Sequence, residues 1–209
     1  MNIVVIGASR GIGLQTVKAA LASGHSVRAM ARSSIAITDP RATKIAGDAT
    51  SRADLEKAIA GGDVVIQALG LAMGPQYLTG TTLFSSATRA LVEAMKATGL
   101  KRLIAVTGAG AGDSRGRLGF VYDAMFAVML KRVYDDKDVQ ERIIRDSGLD
   151  WTIVRPGVLN DGAATGKPRA LLDPKDWRAG PISRADVAAF LVKEAETGTY
   201  RGKTPLLVA

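Results

Sequence analysis

The stretch IVVIGASRGIG, residues 3–13, decides the fold of this chain. It begins as an apolar run, which predicts a buried strand, and passes through Gly7, Gly11 and Gly13 into a segment that predicts a helix. Glycines between a strand and a helix allow a tight turn and a close approach of a phosphate to the main chain. The first turn of the helix adds unpaired N–H groups and a positive dipole end. The stretch therefore predicts a dinucleotide phosphate loop.

Strand-like and helix-like segments alternate along the rest of the chain. The apolar runs are continuous in Val, Ile and Leu, which is typical of parallel strands covered on both faces. We predict strands at 2–6, 26–31, 43–46, 63–68, 102–107, 150–154 and 205–208. We predict helices at 11–23, 52–60, 82–98, 134–147 and 184–196, with Thr50 or Ser51 capping the second and Ser183 the last. This order predicts an α/β fold with a doubly wound parallel sheet, as a single domain over residues 1–209.

Three connections, at 71–80, 108–126 and 157–181, follow the carboxyl ends of predicted strands, where doubly wound folds bind their ligands. We expect the substrate wall to come from them, including the stretch MGPQYL at 73–78 and Trp177. The run FVYDAMFAVMLKRVY at 120–134 is apolar with an interrupted helical period. It fits ordinary core, a dimer face or a lid over the substrate.

The composition excludes several kinds of site. The absence of cysteine excludes disulfides, thiolate metal ligands and a cysteine nucleophile, and the single histidine, His25, excludes a multi-histidine metal site. The net charge is +8, but the basic residues are scattered and aromatic residues are only 5%, so we expect no nucleic-acid partner.

The chain shows no pattern for membrane insertion or secretion. The longest apolar run, 64–74, is too short to span a bilayer, and MNIVVIG has no basic region before it. We expect a cytoplasmic protein, monomeric or homodimeric, that meets no membrane.

The end of the second predicted strand indicates which dinucleotide binds. An NAD site usually has Asp or Glu there, to accept a hydrogen bond from the ribose 2′-OH. Here the strand ends in Arg32 and Ser33, which suit a 2′-phosphate, and Arg10 in the glycine loop adds a second cation. We therefore expect NADP(H) as the cofactor. Asp48, after the third strand, is placed to reach the adenine amino group.

The motifs IGASRGIG, GDA, QALG, SGLDWTIVRPGVL (147–159) and SRADVAAFLV (183–192) together resemble those of atypical short-chain dehydrogenases/reductases, over nearly the whole chain. The resemblance is strongest to the small NAD(P)H-binding group of biliverdin reductase B, or flavin reductase, and implies a Rossmann fold. It also implies cofactor contacts at Gly7, Ser9, Arg10, Gly11, Ile12, Gly13, Arg32, Ser33, Asp48, Ala49, Leu69, Gly70, Thr107, Lys137, Pro156, Gly157 and Val158.

The catalytic groups of related proteins are only partly present. The main branch of the superfamily uses Tyr-x-x-x-Lys, whereas this chain has Tyr134 and Lys137 one residue closer, so packing or surface is the favoured interpretation of Tyr134. A serine and a histidine of the biliverdin reductase B group correspond to Gly108 and Gly157. Thr107 and Lys137 remain as the candidate catalytic residues.

Two functional hypotheses remain open. The first is an NADP(H)-dependent oxidoreductase that passes a hydride to a small conjugated acceptor of the flavin, quinone or carbonyl type, because a flavin or quinone delocalises the incoming charge without a protein acid. The alternative is a non-catalytic NADP(H)-binding sensor or regulatory protein. NADPH consumption with such acceptors distinguishes them.

Overall fold

A computed structural model of the chain describes residues 1–72 and 74–209; within 120–129 it describes the side chains at 120, 122–124 and 126. Seven strands follow the predicted order: β1 (Asn2–Ile6), β2 (Ser26–Ala31), β3 (Ala42–Ala46), β4 (Val64–Gln67), β5 (Arg102–Val106), β6 (Asp150–Pro156) and β10 (Leu206–Val208). The helices are α1 (Gly11–Ala22), α2 (Arg52–Ile59), α3 (Gln76–Thr79), α4 (Leu83–Thr98), α5 (Phe120–Met129), α6 (Lys131–Arg145) and α7 (Arg184–Thr197).

The main sheet has eight strands in the order β3-β2-β1-β4-β5-β6-β10-β8, where β8 is Arg169–Leu171. All neighbouring pairs are parallel except β10 with β8. The predicted doubly wound Rossmann fold is therefore confirmed, with one antiparallel strand at its edge. Strands β2 and β3 lie on one side of β1, and β4 lies on its other side, so the strand order reverses between β1 and β4. The carboxyl ends of these two strands therefore flank a crevice.

Helices cover both faces of the sheet. Helices α1 and α7 pack together over one face, around a core that includes Val5, Val17 and Leu191. Helices α2, α4 and α6 cover the other face, around a core that includes Leu55 and Leu91. The continuous apolar strands supply both cores, which is why a parallel sheet with covered faces was readable from the sequence. No helix in the described parts of the chain has the length and apolar character needed to cross a membrane.

The helix caps follow the predicted pattern. Ser51 caps α2 by accepting a hydrogen bond from the amide of Asp54, at 3.3 Å, which resolves the choice between Thr50 and Ser51. Ser183 caps α7 in the same way, with its hydroxyl 2.9 Å from the amide of Asp186. Each cap satisfies one of the N–H groups that a helix start leaves without a partner.

Two segments differ most from the prediction. Helix α6 begins at Lys131 rather than 134 and ends at Arg145, because α5 ends at Met129 and only Leu130 separates the two helices. This break explains the interrupted helical period of 120–134. The connection 157–181 is also more ordered than expected, since it contains β8 together with β7 (Val158–Asn160) and β9 (Pro181–Ser183), which pair with each other. Strands of three residues are too short to show a periodic pattern.

Candidate functional site

A cavity of about 770 Å³ lies at the carboxyl ends of β1, β4, β5 and β6. Its volume is within the range of small-molecule and cofactor sites. All predicted cofactor residues line it except Gly13 and Val158; the lining set comprises Gly7, Ser9, Arg10, Gly11, Ile12, Arg32, Ser33, Asp48, Ala49, Leu69, Gly70, Thr107, Lys137, Pro156 and Gly157. Residues that are distant in the sequence therefore line one cavity.

The glycine loop is shaped by two close contacts. Gly7 has φ of +93°, and a methyl group on it would lie 2.7 Å from the carbonyl oxygen of Ala68. A methyl group on Gly13 would overlap the carbonyl oxygen of Gly7. Gly13 therefore permits the close contact between β1 and α1 without lining the cavity, which is the third function that a dinucleotide loop requires of its glycines.

The N-terminus of α1 is open towards the cavity. Its N-cap residue, Arg10, makes no side-chain capping bond, and the first turn contains no acidic residue. Ser9, Arg10, Gly11 and Ile12 all line the cavity at this point. The positive end of the helix dipole is thus left for a ligand to neutralise, and a pyrophosphate is the group that fits such a loop.

One end of the cavity carries the predicted adenosine contacts. Arg32 and Ser33 are exposed at the end of β2, and Asp48 lies beside them after β3. The amide and the hydroxyl of Thr50 both donate to Asp48 at 2.8 Å and lower the pKa of that carboxyl, with a further contribution from the charge of Arg32. An ionised carboxylate is therefore held beside the arginine, at the end where the adenosine of a dinucleotide is predicted to lie.

The opposite end of the cavity holds Lys137. Its ammonium donates to the main-chain carbonyl of Thr107 at 2.9 Å and lies 4.0 Å from the centroid of the Phe84 ring. Burial lowers its pKa to about 8, although the charges of Glu141 and Asp136 oppose the shift. A lysine titrating near neutral pH at the inner end of a cavity is typical of a functional position.

The ring of Phe84 is placed by a contact that the sequence did not reveal. Asp136, the neighbour of Lys137, accepts a hydrogen bond from the amide of Phe84 at 2.8 Å, and so caps the start of α4 from α6. The two residues are 52 positions apart. This contact fixes the aromatic face against the ammonium and stabilises its charged form.

Tyr134 also lines the cavity at this inner end, in addition to the packing that its spacing favoured. A side chain at Gly108 would occupy the space taken by the Tyr134 hydroxyl, so the glycine found in place of the serine of relatives leaves room for the phenol. The Tyr134 ring packs edge-on against Phe126, and burial raises the pKa of the phenol. Lys137 Nζ lies 5.7 Å from the ring centroid. The i, i+3 spacing on α6 was the available signal, because it places both side chains on one helix face.

Thr107 is joined to a buried ionic network. Its hydroxyl donates to Glu141 Oε1 at 2.9 Å, and Glu141 accepts two hydrogen bonds from Arg155, at 2.9 and 2.6 Å. Arg155 has no exposed side-chain surface, and its other terminal nitrogen lies 2.6 Å from Asp113. The hydroxyl hydrogen of Thr107 is thus directed at Glu141, while its carbonyl oxygen holds Lys137.

The predicted substrate wall needs correction. Trp177 does not line the cavity; it is buried against Leu118 and Leu171, and its indole N–H donates to the Leu171 carbonyl at 3.3 Å. Val158 is exposed and likewise outside the lining. Of the three predicted connections, the first contributes Leu71, Ala72 and Tyr77, the second Gly108, and the third Gly157, Leu159 and Asp161; Met73 lies outside the described residues.

Known proteins are similar to this chain over nearly its whole length. The chain is 28% identical to the uncharacterized sugar epimerase YhfK of Bacillus subtilis, over all of this chain and 98% of YhfK. It is 28% identical to the solved structure of ChuY, described as an anaerobilin reductase of Escherichia coli O157:H7, with a TM-score of 0.78 over 100% of this chain and 97% of ChuY.

A short-chain dehydrogenase/reductase of Veillonella parvula in complex with NADP shares the fold, with a TM-score of 0.79 at 18% identity, over 100% of this chain and 94% of that chain. The resemblance first seen in the motifs is thus confirmed at the level of fold and family. Since a family model described as NAD(P)H-binding matches residues 7–197, the chain belongs to that NAD(P)H-binding family.

Proposed function

We propose that this protein is an NADP(H)-dependent oxidoreductase that transfers a hydride to a small conjugated acceptor of the flavin, quinone or carbonyl type. The observation that carries the proposal is the continuity of one cavity, which has Arg32 at one end and Tyr134 and Lys137 at the other. A dinucleotide laid across the glycine loop in this cavity would direct its nicotinamide towards the end with the titratable side chains.

The preference for NADP(H) rests on the residues at the end of β2. Arg32 supplies a guanidinium and Ser33 a hydroxyl, where an NAD-binding protein usually has a carboxylate. Asp48 is already engaged by Thr50, at 2.8 Å from both the amide and the hydroxyl. A phosphate with two negative charges suits this arginine better than a neutral 2′-hydroxyl.

Bound NADPH would supply a hydride, which is two electrons with one hydrogen, and become NADP⁺, while the acceptor takes up the matching proton. The phenol of Tyr134 is protonated at neutral pH, as an ordinary tyrosine is, and burial raises its pKa further. Lys137 carries a positive charge below about pH 8 and offers stabilisation for the negative charge that an acceptor gains. The chain thus provides one proton-bearing hydroxyl and one cation at the inner end of the cavity.

The lining on the inner side favours a largely apolar acceptor. Leu71, Ala72 and Tyr77 come from the connection after β4, and Leu130 and Val133 come from the α5–α6 junction. Apolar walls with a few polar groups are typical of sites for conjugated ligands. The similarity to an anaerobilin reductase adds bilins to the flavins and quinones that deserve testing.

The test is the loss of NADPH absorbance with a panel of one flavin, one quinone and one bilin. We expect turnover with at least one acceptor, and a fall of about 10²-fold or more in Lys137→Met, which loses the stabilising charge, or in Tyr134→Phe, which loses the proton donor. Arg89→Gln, at an exposed position on α4, is the matched control that should leave the rate unchanged. Dinucleotide binding without NADPH oxidation by any acceptor would instead identify a sensor.

A further inference from the structure

Arg184 lies beside the glycine loop; it belongs to the motif SRADVAAFLV but is not among the predicted cofactor contacts. It is the first residue of α7 and lines the same cavity as Gly11. A methyl group placed on Gly11 would lie 3.9 Å from Nε of Arg184. The guanidinium also pairs with Asp161, with Nη1 2.8 Å from Oδ1. The N-terminus of α1 and a second cation therefore lie close together.

The position of Arg184 is not explained by the needs of its own helix. The start of a helix carries the positive end of the dipole, so a cation there is disfavoured. Ser183 already caps α7, and Asp186 supplies the acidic side chain of the first turn. The stability of α7 therefore gives no reason for an arginine at this residue.

The pair between Arg184 and Asp161 is also not needed to hold the chain. Asp186 is buried and fixes the segment after Asp161, because it accepts bonds from the amides of Thr165 and Gly166, both at 2.9 Å. Asp161 itself has 88% of its side chain exposed, and ion pairs of that exposure are weak. The fold therefore fixes the position of the Arg184 guanidinium, and its ion pair with Asp161 is weak.

We propose that Arg184 binds the pyrophosphate of the dinucleotide, and that Asp161 competes with the pyrophosphate for the same guanidinium. The pyrophosphate carries two negative charges and is held by the amides of the α1 N-terminus, so it displaces a single exposed carboxylate. This proposal rests on the dinucleotide-binding part of the proposed function and does not require turnover.

The test is a calorimetric titration of NADP⁺ and of NAD⁺ into the wild-type protein, Arg184→Gln and Asp161→Asn. Because both dinucleotides carry the pyrophosphate, Arg184→Gln should raise both Kd values by about tenfold or more, the effect of losing a charge-assisted hydrogen bond. Asp161→Asn should lower both Kd values by about two- to fivefold, the strength of an exposed ion pair. Arg32→Gln, by contrast, should change the ratio of the two Kd values.

The double variant Asp161→Asn/Arg184→Gln separates competition from structural damage. Under competition, Asp161→Asn has no effect on Kd once Arg184 is replaced, and the melting temperatures of the unliganded variants stay close to wild type. The proposal is overturned if Arg184→Gln leaves both Kd values unchanged, if Asp161→Asn weakens binding, or if the wild-type protein binds neither dinucleotide. Binding without NADPH oxidation would refute the oxidoreductase alone and leave this test intact.

Discussion

Lys137 and Thr107 are joined by a hydrogen bond of 2.9 Å from the lysine ammonium to the threonine carbonyl. The hydroxyl of the same threonine donates to Glu141, which pairs with the fully buried Arg155. One residue at the end of β5 therefore links the titratable lysine in the cavity to an ionic network behind it. Substitutions at the two ends of the cavity and in this network therefore report on separate parts of the site.

The first prediction concerns the choice of dinucleotide. Arg32→Gln should raise the Kd for NADP⁺ by about tenfold to 100-fold, the range for a hydrogen bond to a charged group, and should leave the Kd for NAD⁺ nearly unchanged. Titration calorimetry with both dinucleotides measures the ratio. An equal rise in the Kd values for NADP⁺ and NAD⁺ would show that Arg32 does not contact the 2′-phosphate. Arg89→Gln carries the same change of charge at an exposed site on α4 and should alter neither value.

The second prediction follows from the lowered pKa of Lys137. Between about pH 8 and its usual value of 10.5, the lysine is neutral in the folded protein and charged in the unfolded chain. Unfolding then takes up a proton, so the free energy of unfolding rises with pH across this window. Below pH 8 the lysine is charged in both states, and the full cost of burying its charge is present. Relative to Lys137→Met, the free energy of unfolding should rise by about 3 kcal/mol over this range.

Urea denaturation at a series of pH values, on both proteins, measures this difference. Effects of the substitution that do not depend on pH, such as the lost bond to Thr107, cancel in the slope. A constant difference between the two proteins from pH 7 to 10.5 would show that the pKa of Lys137 is not lowered.

The third prediction concerns Gly108 and Tyr134. Gly108→Ala places a methyl group where the phenol hydroxyl lies, so the ring must move and turnover should fall by about tenfold or more, as expected when a reacting group is displaced. Tyr134→Phe removes the hydroxyl and should itself lower turnover. On that background Gly108→Ala should lower turnover less than it does in the wild-type protein, because the hydroxyl is gone, while two ring carbons still lie 3.0 and 3.2 Å from the new methyl group. Strictly additive losses in rate would argue against the contact.

The fourth prediction concerns the network behind the cavity. Glu141→Gln removes the carboxylate that accepts two bonds from Arg155, and should lower the free energy of unfolding by about 3–5 kcal/mol, as for other broken buried pairs. Glu93→Gln, at an exposed position on α4, should change it by less than about 0.5 kcal/mol. Urea denaturation at neutral pH compares them. The double variant Glu141→Gln/Arg155→Met should recover part of the loss, since it removes the buried guanidinium that would otherwise keep only Asp113 as a partner.

The sequence by itself determined the fold and the cofactor loop. These features are local patterns, because the residues of each lie close together in the sequence. They are the apolar strands, the glycines at 7, 11 and 13, and the arginine that follows β2. Local patterns specify elements and their order, and the handedness of parallel connections then leaves few topologies. The glycine loop could therefore be placed at the crevice between β1 and β4 before any contact was known.

Tertiary structure alone decided which side chains meet at the inner end of the cavity and which are buried behind it. Asp136 caps α4 through an amide 52 residues earlier, Arg184 reaches the glycine loop from the last helix, and Trp177 packs into the core instead of the cavity. These contacts join segments far apart in the chain, and no local periodicity encodes them. They depend on how the layers pack, because the packing sets which polar groups lose water and must find partners.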